Sequence, residues 1–160
     1  MLKIKQFDPN QDELSTFSQI IFDILKVSDG HASWSLNFIE TDLMATKSVY
    51  YFAEIDKKIV GFLSTIDLVD EIEISNIAVL PEKRGQGIAS HLIEKIPFDW
   101  GHQQMDGTIK TIFLEVRATN LPAQRLYEKY DFDAFHIRKN YYTEPQEDAI
   151  LMRRTKKISK

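Results

Sequence analysis

The segment from Asn76 to Ile96 limits most tightly what this chain can become. Asn76-Ile77-Ala78-Val79-Leu80-Pro81-Glu82-Lys83-Arg84-Gly85-Gln86-Gly87-Ile88-Ala89 reads as a strand, a proline-marked turn, a basic glycine loop and the start of a helix. A strand that runs through glycines straight into a helix leaves backbone N–H groups pointing into the turn, an arrangement suited to an anion such as phosphate. Glycine permits the close approach and unusual torsions of such a cradle. The loop is neither a P-loop, lacking Gly-Lys-Ser/Thr, nor a dinucleotide fingerprint, lacking the third glycine. A glycine-rich turn that only reverses the chain has the same spacing, and the spacing alone leaves both open.

The rest of the pattern builds a mixed α/β sheet around that segment. Lys3–Phe7 reads as a first strand. Asp12–Val27 follows as an amphipathic helix with Leu14, Phe17, Ile20, Ile21 and Leu25 on one face, ended by Ser28-Asp29-Gly30. Ser35 caps a second helix. Val49–Ile55 and Ile59–Ile66 form a hairpin around Asp56-Lys57-Lys58. In the fourth strand, Ile72 to Leu80, Glu71 and Glu73 alternate with Ile72 and Ile74, and the run becomes wholly apolar from Ile77. That change of phase fits a strand covered on both faces or a bulge near Ser75 and Asn76, which splays the strand from its neighbour. A helix with Ile88, Leu92, Ile93 and Ile96 inward stops at Pro97. A strand from Thr108 to Arg117, a short helix from Leu121 to Tyr130, and a strand pair, Asp133–Tyr141 with Asp148–Arg153, complete the chain.

A length of 160 residues suits one domain with a sizeable core. We place that domain at residues 1–152 and a basic tail at 153–160. With 43% hydrophobic and 28% charged residues, and only short apolar runs, nothing in the sequence spans a membrane, and no signal-peptide stretch opens it. There is no cysteine, hence no disulfide, no thiolate nucleophile and no cysteine-based metal site. A cytoplasmic protein is the plain reading. Net charge is −4, yet Arg153, Arg154, Lys156, Lys157 and Lys160 crowd the last eight residues, so the body is more acidic than the total suggests. An acidic body argues against direct nucleic-acid binding and suits a cationic substrate. The basic end is either a docking element or a solvated terminus.

Two residues stand out chemically. Glu115 interrupts the apolar run Ile112-Phe113-Leu114-Glu115-Val116, where an ionised carboxylate is costly unless paired, hydrated or functional. Strand alternation puts it on a face with Phe113 and Arg117. A Glu115–Arg117 pair and a general base are both open. Tyr127 lies in the apolar stripe Ala123, Leu126, Tyr127, Tyr130, as core or as a proton donor one loop away from Glu115.

Asn76-Ile77-Ala78-Val79 followed by Arg84-x-x-Gly87-x-Ala89 resembles the acetyl-CoA signature of the GNAT superfamily of N-acetyltransferases. Later segments resemble its RimI-type ribosomal-protein N-terminal alanine acetyltransferases: Leu114-Glu115-Val116-Arg117-Ala118-Thr119-Asn120, Leu126-Tyr127-Glu128-Lys129, Ile137-Arg138-Lys139-Asn140-Tyr141-Tyr142 and Glu147-Asp148-Ala149-Ile150-Leu151-Met152, with Trp34-Ser35 earlier. The resemblance implies a GNAT fold, a mixed, mostly antiparallel sheet with splayed fourth and fifth strands flanked by helices. It assigns Ile77, Ala78 and Val79 to the pantetheine arm and acetyl carbonyl. Pyrophosphate would be held by Gly85, Gln86, Gly87, Ile88, Ala89 and Ser90, with Arg84 opening the loop and Asn120 near the pantetheine. Glu115 matches the general base and Tyr127 the general acid.

The implied reaction is acetyl transfer from acetyl-CoA, without a metal, to a protein N-terminal amine, with the alanine of a small-subunit ribosomal protein foremost. The implied protein is a monomer or weak dimer. A small-molecule amine, another protein N-terminus, or a noncatalytic acyl-CoA sensor are the alternatives. Asp67, Asp70, Glu71 and Glu73 form an acidic cluster that either attracts a basic peptide or is a solvated turn. Tyr141 and Tyr142 line the peptide groove, on resemblance, or cover the sheet. Two departures from the family pattern stand out. Pro97 and Phe98–Gly107 interrupt a helix that is usually continuous. Asp131 replaces a glycine, in a left-handed cap conformation that aspartate tolerates at some cost.

Overall fold

Residues 1–29, 33–100 and 109–155 are described by the structure, a computed structural model. In chain order they form β1 (Leu2–Gln6), α1 (Leu14–Asp29), α2 (Leu36–Leu43), β2 (Ser48–Ile55), β3 (Lys58–Asp67), β4 (Glu71–Val79), α3 (Ile88–Ile93), β5 (Thr111–Arg117), α4 (Leu121–Lys129), β6 (Asp133–Tyr142) and β7 (Glu147–Thr155). The seven strands make one mixed sheet in the order β1-β2-β3-β4-β5-β7-β6. The pairs β1–β2, β2–β3, β5–β7 and β7–β6 are antiparallel, and β4 runs parallel to β5 along its first half, from Glu71–Thr111 to Ile74–Leu114. The α/β class expected from the alternation of helices and strands is the one observed.

The residues cluster into two compact units, Met1–Asp67 with Asn76–Ile96, and Leu68–Ser75 with Pro97–Lys160. In the first unit, α1 and α2 lay Ile21, Ile24, Leu25, Ile39 and Leu43 on the aromatic face of β2 and β3, Tyr50, Phe52 and Phe62. Helix α1 begins two residues later than its periodicity predicts. Asp12 is spent on the turn before it, accepting from the Asp8 N–H (2.8 Å) and pairing with Lys5. The Ser35 hydroxyl accepts from the Phe38 N–H (3.1 Å), the expected cap of α2. The β2–β3 hairpin turns through Asp56 and Lys57, both at positive φ, as a two-residue connection requires. Helix α3 packs Ile88, Leu92 and Ile93 inward and ends at Ile93, with single turns closing at Lys95 and Ile96. The helix has therefore stopped before Pro97 is reached.

In the second unit, β5 alternates as expected, with Ile112, Leu114 and Val116 buried and Phe113, Glu115 and Arg117 half-buried. Strand β7 continues to Thr155, so Arg153 and Arg154 belong to a strand rather than to a tail. Arg153 lies over the Phe135 ring (4.5 Å), and Arg154 donates to the Tyr130 carbonyl (2.9 Å) and covers Phe98 and Trp100. Gly30, residues 101–108 and Lys156, Lys157 and Lys160, to which parts of the sequence reading refer, lie outside the described residues.

Helix α4 ends in a two-bond cap. The Phe132 N–H donates to the Tyr127 carbonyl (3.1 Å) and the Asp131 N–H to the Glu128 carbonyl (2.9 Å), with Asp131 at φ 62°. The ring of Phe132 meets that of Tyr127 at 5.6 Å. This is the Schellman arrangement with its apolar contact, and it fixes the position of Tyr127. Because a left-handed conformation is costly for aspartate, Asp131→Gly is expected to stabilise the protein by ~1 kcal/mol, read as a higher midpoint in thermal unfolding. Gly61→Ala should act in the opposite sense. A Cβ there would stand 2.9 Å from the Ala78 carbonyl oxygen and 3.2 Å from Val79 Cγ2, an overpacking that costs ~1–3 kcal/mol.

Candidate active site

In the first unit, the second half of β4 leads into the glycine loop. Ile77 and Ala78 are half-buried and Val79 is buried. The strand continues to Leu80, whose N–H donates to the Val60 carbonyl (2.8 Å). Pro81–Lys83 form one tight turn, and Arg84 then folds back so that its Nε donates to the Val79 carbonyl (3.1 Å). Arg84 thus fastens the start of the loop to the end of the strand and keeps its positive charge at that point. Gly85 and Gly87 both adopt φ 77°, a region in which L-residues are strained. A Cβ on Gly85 would meet nothing within 4 Å, so its backbone faces open space.

Gly87 caps α3 with no side chain of its own. His91 donates to its carbonyl through both the backbone N–H (3.1 Å) and Nδ1 (2.7 Å). Ile88 is buried and anchors the helix, while Ala89 and Ser90 are half-buried behind the exposed stretch Arg84–Gly87. An exposed, glycine-lined turn with a cation at its mouth, opening onto the first N–H groups of a helix, fits a pyrophosphate. Because α3 is short, backbone N–H groups rather than a long-helix dipole supply the attraction.

In the second unit, Glu115 does not pair with Arg117. Its Oε1 lies 3.6 Å from Nη1 of Arg138, and the Tyr141 hydroxyl donates to its carboxylate. Arg117 instead reaches Glu147 (3.3 Å) and the carbonyls of Pro145 (3.0 Å) and Thr143 (3.2 Å), and stacks on the Tyr142 ring at 4.4 Å. It braces the β6–β7 turn. Glu73, one of the acidic cluster that the sequence left open between a peptide-attracting patch and a solvated turn, is half-buried on β4 and electrostatically coupled to Glu115. Burial first and the Glu115 charge second push its carboxyl above the usual range, with Arg138 opposing. Sequence reasoning missed this pairing. Its signal was the alternation of Glu71 and Glu73 with Ile72 and Ile74, interpretable only once the parallel register with β5 is known.

Tyr127 is buried, and burial, followed by the neighbouring Tyr142, raises its phenol well above the ordinary value. Tyr142 itself is pushed up to about 12 by burial and by Glu115. Both hydroxyls hold their protons throughout the neutral range. Glu115, Tyr142 and Tyr127 therefore form an electrostatically coupled series within one unit. Asn120 caps α4, its side-chain oxygen accepting from the Ala123 N–H (3.2 Å). Of the acidic cluster, Asp67 ends β3 and Asp70 lends its carbonyl to the Lys110 N–H (2.7 Å). Among the described residues no group of three or more His, Asp and Glu side chains is placed to hold a metal.

Residues 14–132 match the family model described as Acetyltransferase (GNAT) family. A Bacillus subtilis protein provisionally named [ribosomal protein bS18]-alanine N-acetyltransferase is 31% identical over 129 residues, covering 80% of this chain and 83% of that one. The [ribosomal protein bS18]-alanine N-acetyltransferase of Haemophilus influenzae is 38% identical over 100 residues, 61% of this chain and 65% of its own length. Among solved structures, the ribosomal-protein-S18-alanine N-acetyltransferase of Escherichia coli superposes with a TM-score of 0.81 at 26% identity, covering 100% of this chain and 97% of that chain. With its glycine loop, its Glu115 strand and a family match over most of its length, the chain belongs to the acetyltransferase (GNAT) family.

Proposed function

We propose that this protein transfers acetyl from acetyl-CoA to the N-terminal α-amine of a protein, foremost the alanine of ribosomal protein bS18, and that it does so in the cytoplasm. The observation that carries this reading is Glu115. A half-buried carboxylate, held between a guanidinium and a tyrosine hydroxyl, stands on the strand where an amine-acetylating enzyme needs a base. The names of its relatives in Bacillus and Haemophilus supply the acceptor.

Each residue then has a task. Gly85–Ser90 hold the cofactor's pyrophosphate through backbone N–H groups, with Arg84 keeping the loop mouth in place, and Asn120 orders the start of α4 near the pantetheine. Ile77, Ala78 and Val79 offer strand backbone to the pantetheine and the acetyl carbonyl, where an N–H stabilises developing negative charge. Glu115 accepts a proton from the α-ammonium, directly or through water, because only the free amine attacks the thioester. Tyr127 delivers its proton to the departing sulfur, a role suited to a hydroxyl that burial keeps protonated.

Four outcomes are expected. Glu115→Gln lowers kcat/KM by roughly 10²-fold or more at neutral pH, and Tyr127→Phe does so mainly through kcat, measured with acetyl-CoA and a peptide bearing the bS18 N-terminus. Because Tyr127 keeps its proton, no descending limb in kcat from its ionisation appears below pH 10. Gly87→Ala, forced to a φ of 77°, raises the KM for acetyl-CoA roughly tenfold, ~1.4 kcal/mol, with kcat little changed. Mass spectrometry of N-termini in cells with and without the protein tests the acceptor: an unaltered bS18 N-terminus removes the substrate assignment and leaves the family assignment standing. If the purified protein binds acetyl-CoA and no amine accelerates CoA release, a sensor replaces the enzyme.

A further inference from the structure

We propose that Arg138 is a positioning residue for the acetyl transfer, compensating the paired charges of Glu73 and Glu115 so that Glu115 is free to take the amine's proton. The inference rests on the assignment of Glu115 as the base.

The geometry arises from an irregularity in an exposed strand. Strand β6 pairs with β7 as Arg138–Ala149 and again as Tyr142–Glu147. Between these pairs Lys139, Asn140 and Tyr141 stand opposite Asp148 alone. The excess is pinned rather than loose. Asn140 adopts φ 52°, its N–H donates to the Asp148 carboxylate (2.8 Å), and Lys139 Nζ reaches the same group (3.5 Å). In a regular strand, residues 138 and 141 would point to opposite faces. The bulge brings both to Glu115, Arg138 by an ion pair at 3.6 Å and Tyr141 by a hydrogen bond, with the Arg138 guanidinium 5.4 Å from the Tyr141 ring.

Two carboxylates facing each other in a half-buried site cannot both remain charged at little cost. Glu73 stands opposite Phe113 in the parallel register, which puts Glu115 diagonally across on the same face of the neighbouring strand, and its carboxyl is raised by burial and by the Glu115 charge. Arg138, from β6, is the cation that acts on both members. Tyr141 and Tyr142 also face Glu115, both neutral at physiological pH. Of the other cations on this face, Arg117 on β5 is taken up by Glu147 and the β6–β7 turn, and Arg153 on β7, opposite Phe113, lies over the Phe135 ring. Without Arg138, the ion pair at Glu115 and the opposition to its charge at Glu73 are both lost, and the base is available over a narrower range.

The test is the pH dependence of kcat/KM between pH 5.5 and 9.5, with acetyl-CoA and one alanine-initiated peptide, for wild type, Arg138→Met, Arg138→Lys, Glu73→Gln and the Arg138→Met/Glu73→Gln double variant. The peptide amine contributes the same ionisation to every profile, so differences between variants report the enzyme. Arg138→Met is expected to move the acidic limb up by about one pH unit, Arg138→Lys to return it to within a few tenths of wild type, and the double variant to restore it by removing the second carboxylate. Parallel profiles, with Arg138→Met lowering the rate by one factor at every pH, overturn the proposal. Should Arg138→Met fail to fold by circular dichroism, Glu73→Gln alone decides: a limb moved to lower pH supports the coupling, and an unmoved limb overturns it. Glu115→Gln with undiminished activity overturns the base assignment itself and the inference with it, an outcome distinct from parallel Arg138→Met and wild-type profiles alongside an inactive Glu115→Gln variant.

Discussion

The missing side chain of Gly61 decides where β4 can run. Any Cβ there would collide with the Ala78 carbonyl and with Val79, so β3 admits β4 at close range only because position 61 is bare. The loop depends on that approach. Leu80 bonds to Val60 and Arg84 folds back on Val79, so the start of the glycine turn is set by the end of a strand that is itself set by Gly61. The same strand begins in parallel register with β5, which sets Glu73 opposite Phe113 and diagonal to Glu115. One strand therefore meets two demands, and a one-residue slip would exchange its faces and lose both.

The charges of the second unit are arranged for balance more than for stability. A half-exposed ion pair such as Arg138–Glu115 contributes little to folding. Its consequence lies in the proposed chemistry: a carboxylate acting as a base is sensitive to every neighbouring charge. Arg117 illustrates the contrast. Its guanidinium has several partners in the β6–β7 turn and stacks on Tyr142, so it holds structure. The two arginines thus divide the labour, Arg117 bracing the β6–β7 turn and Arg138 facing Glu115.

Much of this was legible in the sequence, for identifiable reasons. The Ser35 cap, the two-residue hairpin turn and the β5 alternation are local, and local chemistry dictates them. Glu115 drew notice because a charge in an apolar strand is anomalous, and Tyr127 because it followed one loop later. The glycine loop was visible as a possible anion cradle, and the φ of Gly85 and Gly87 and the return of Arg84 to Val79 give it a shape that suits one. The partners of Glu115 were not legible. Alternation suggested Arg117, two residues away, while the actual cation comes from β6, which reaches β5 only through β7 in the sheet order. The relation of Glu73 to Glu115 was not legible either, because parallel register between β4 and β5 leaves no trace in either strand alone.

Strand β6 gives the reason such pairings escape pattern reading. It is the edge of the sheet, and Asp133 through Tyr141 are all exposed, so no hydrophobic face enforces its register. An unprotected edge invites pairing with other chains, and charges and bulges are the usual defences. Here Arg138 and Lys139 supply charge, and the Lys139–Tyr141 excess, fixed by Asp148, supplies the bulge. The irregularity that spoils the edge as a template also turns Arg138 and Tyr141 together toward Glu115. Because a bulge is set by one positive φ and one accepting carboxylate rather than by alternating hydrophobicity, its position could be found only in three dimensions.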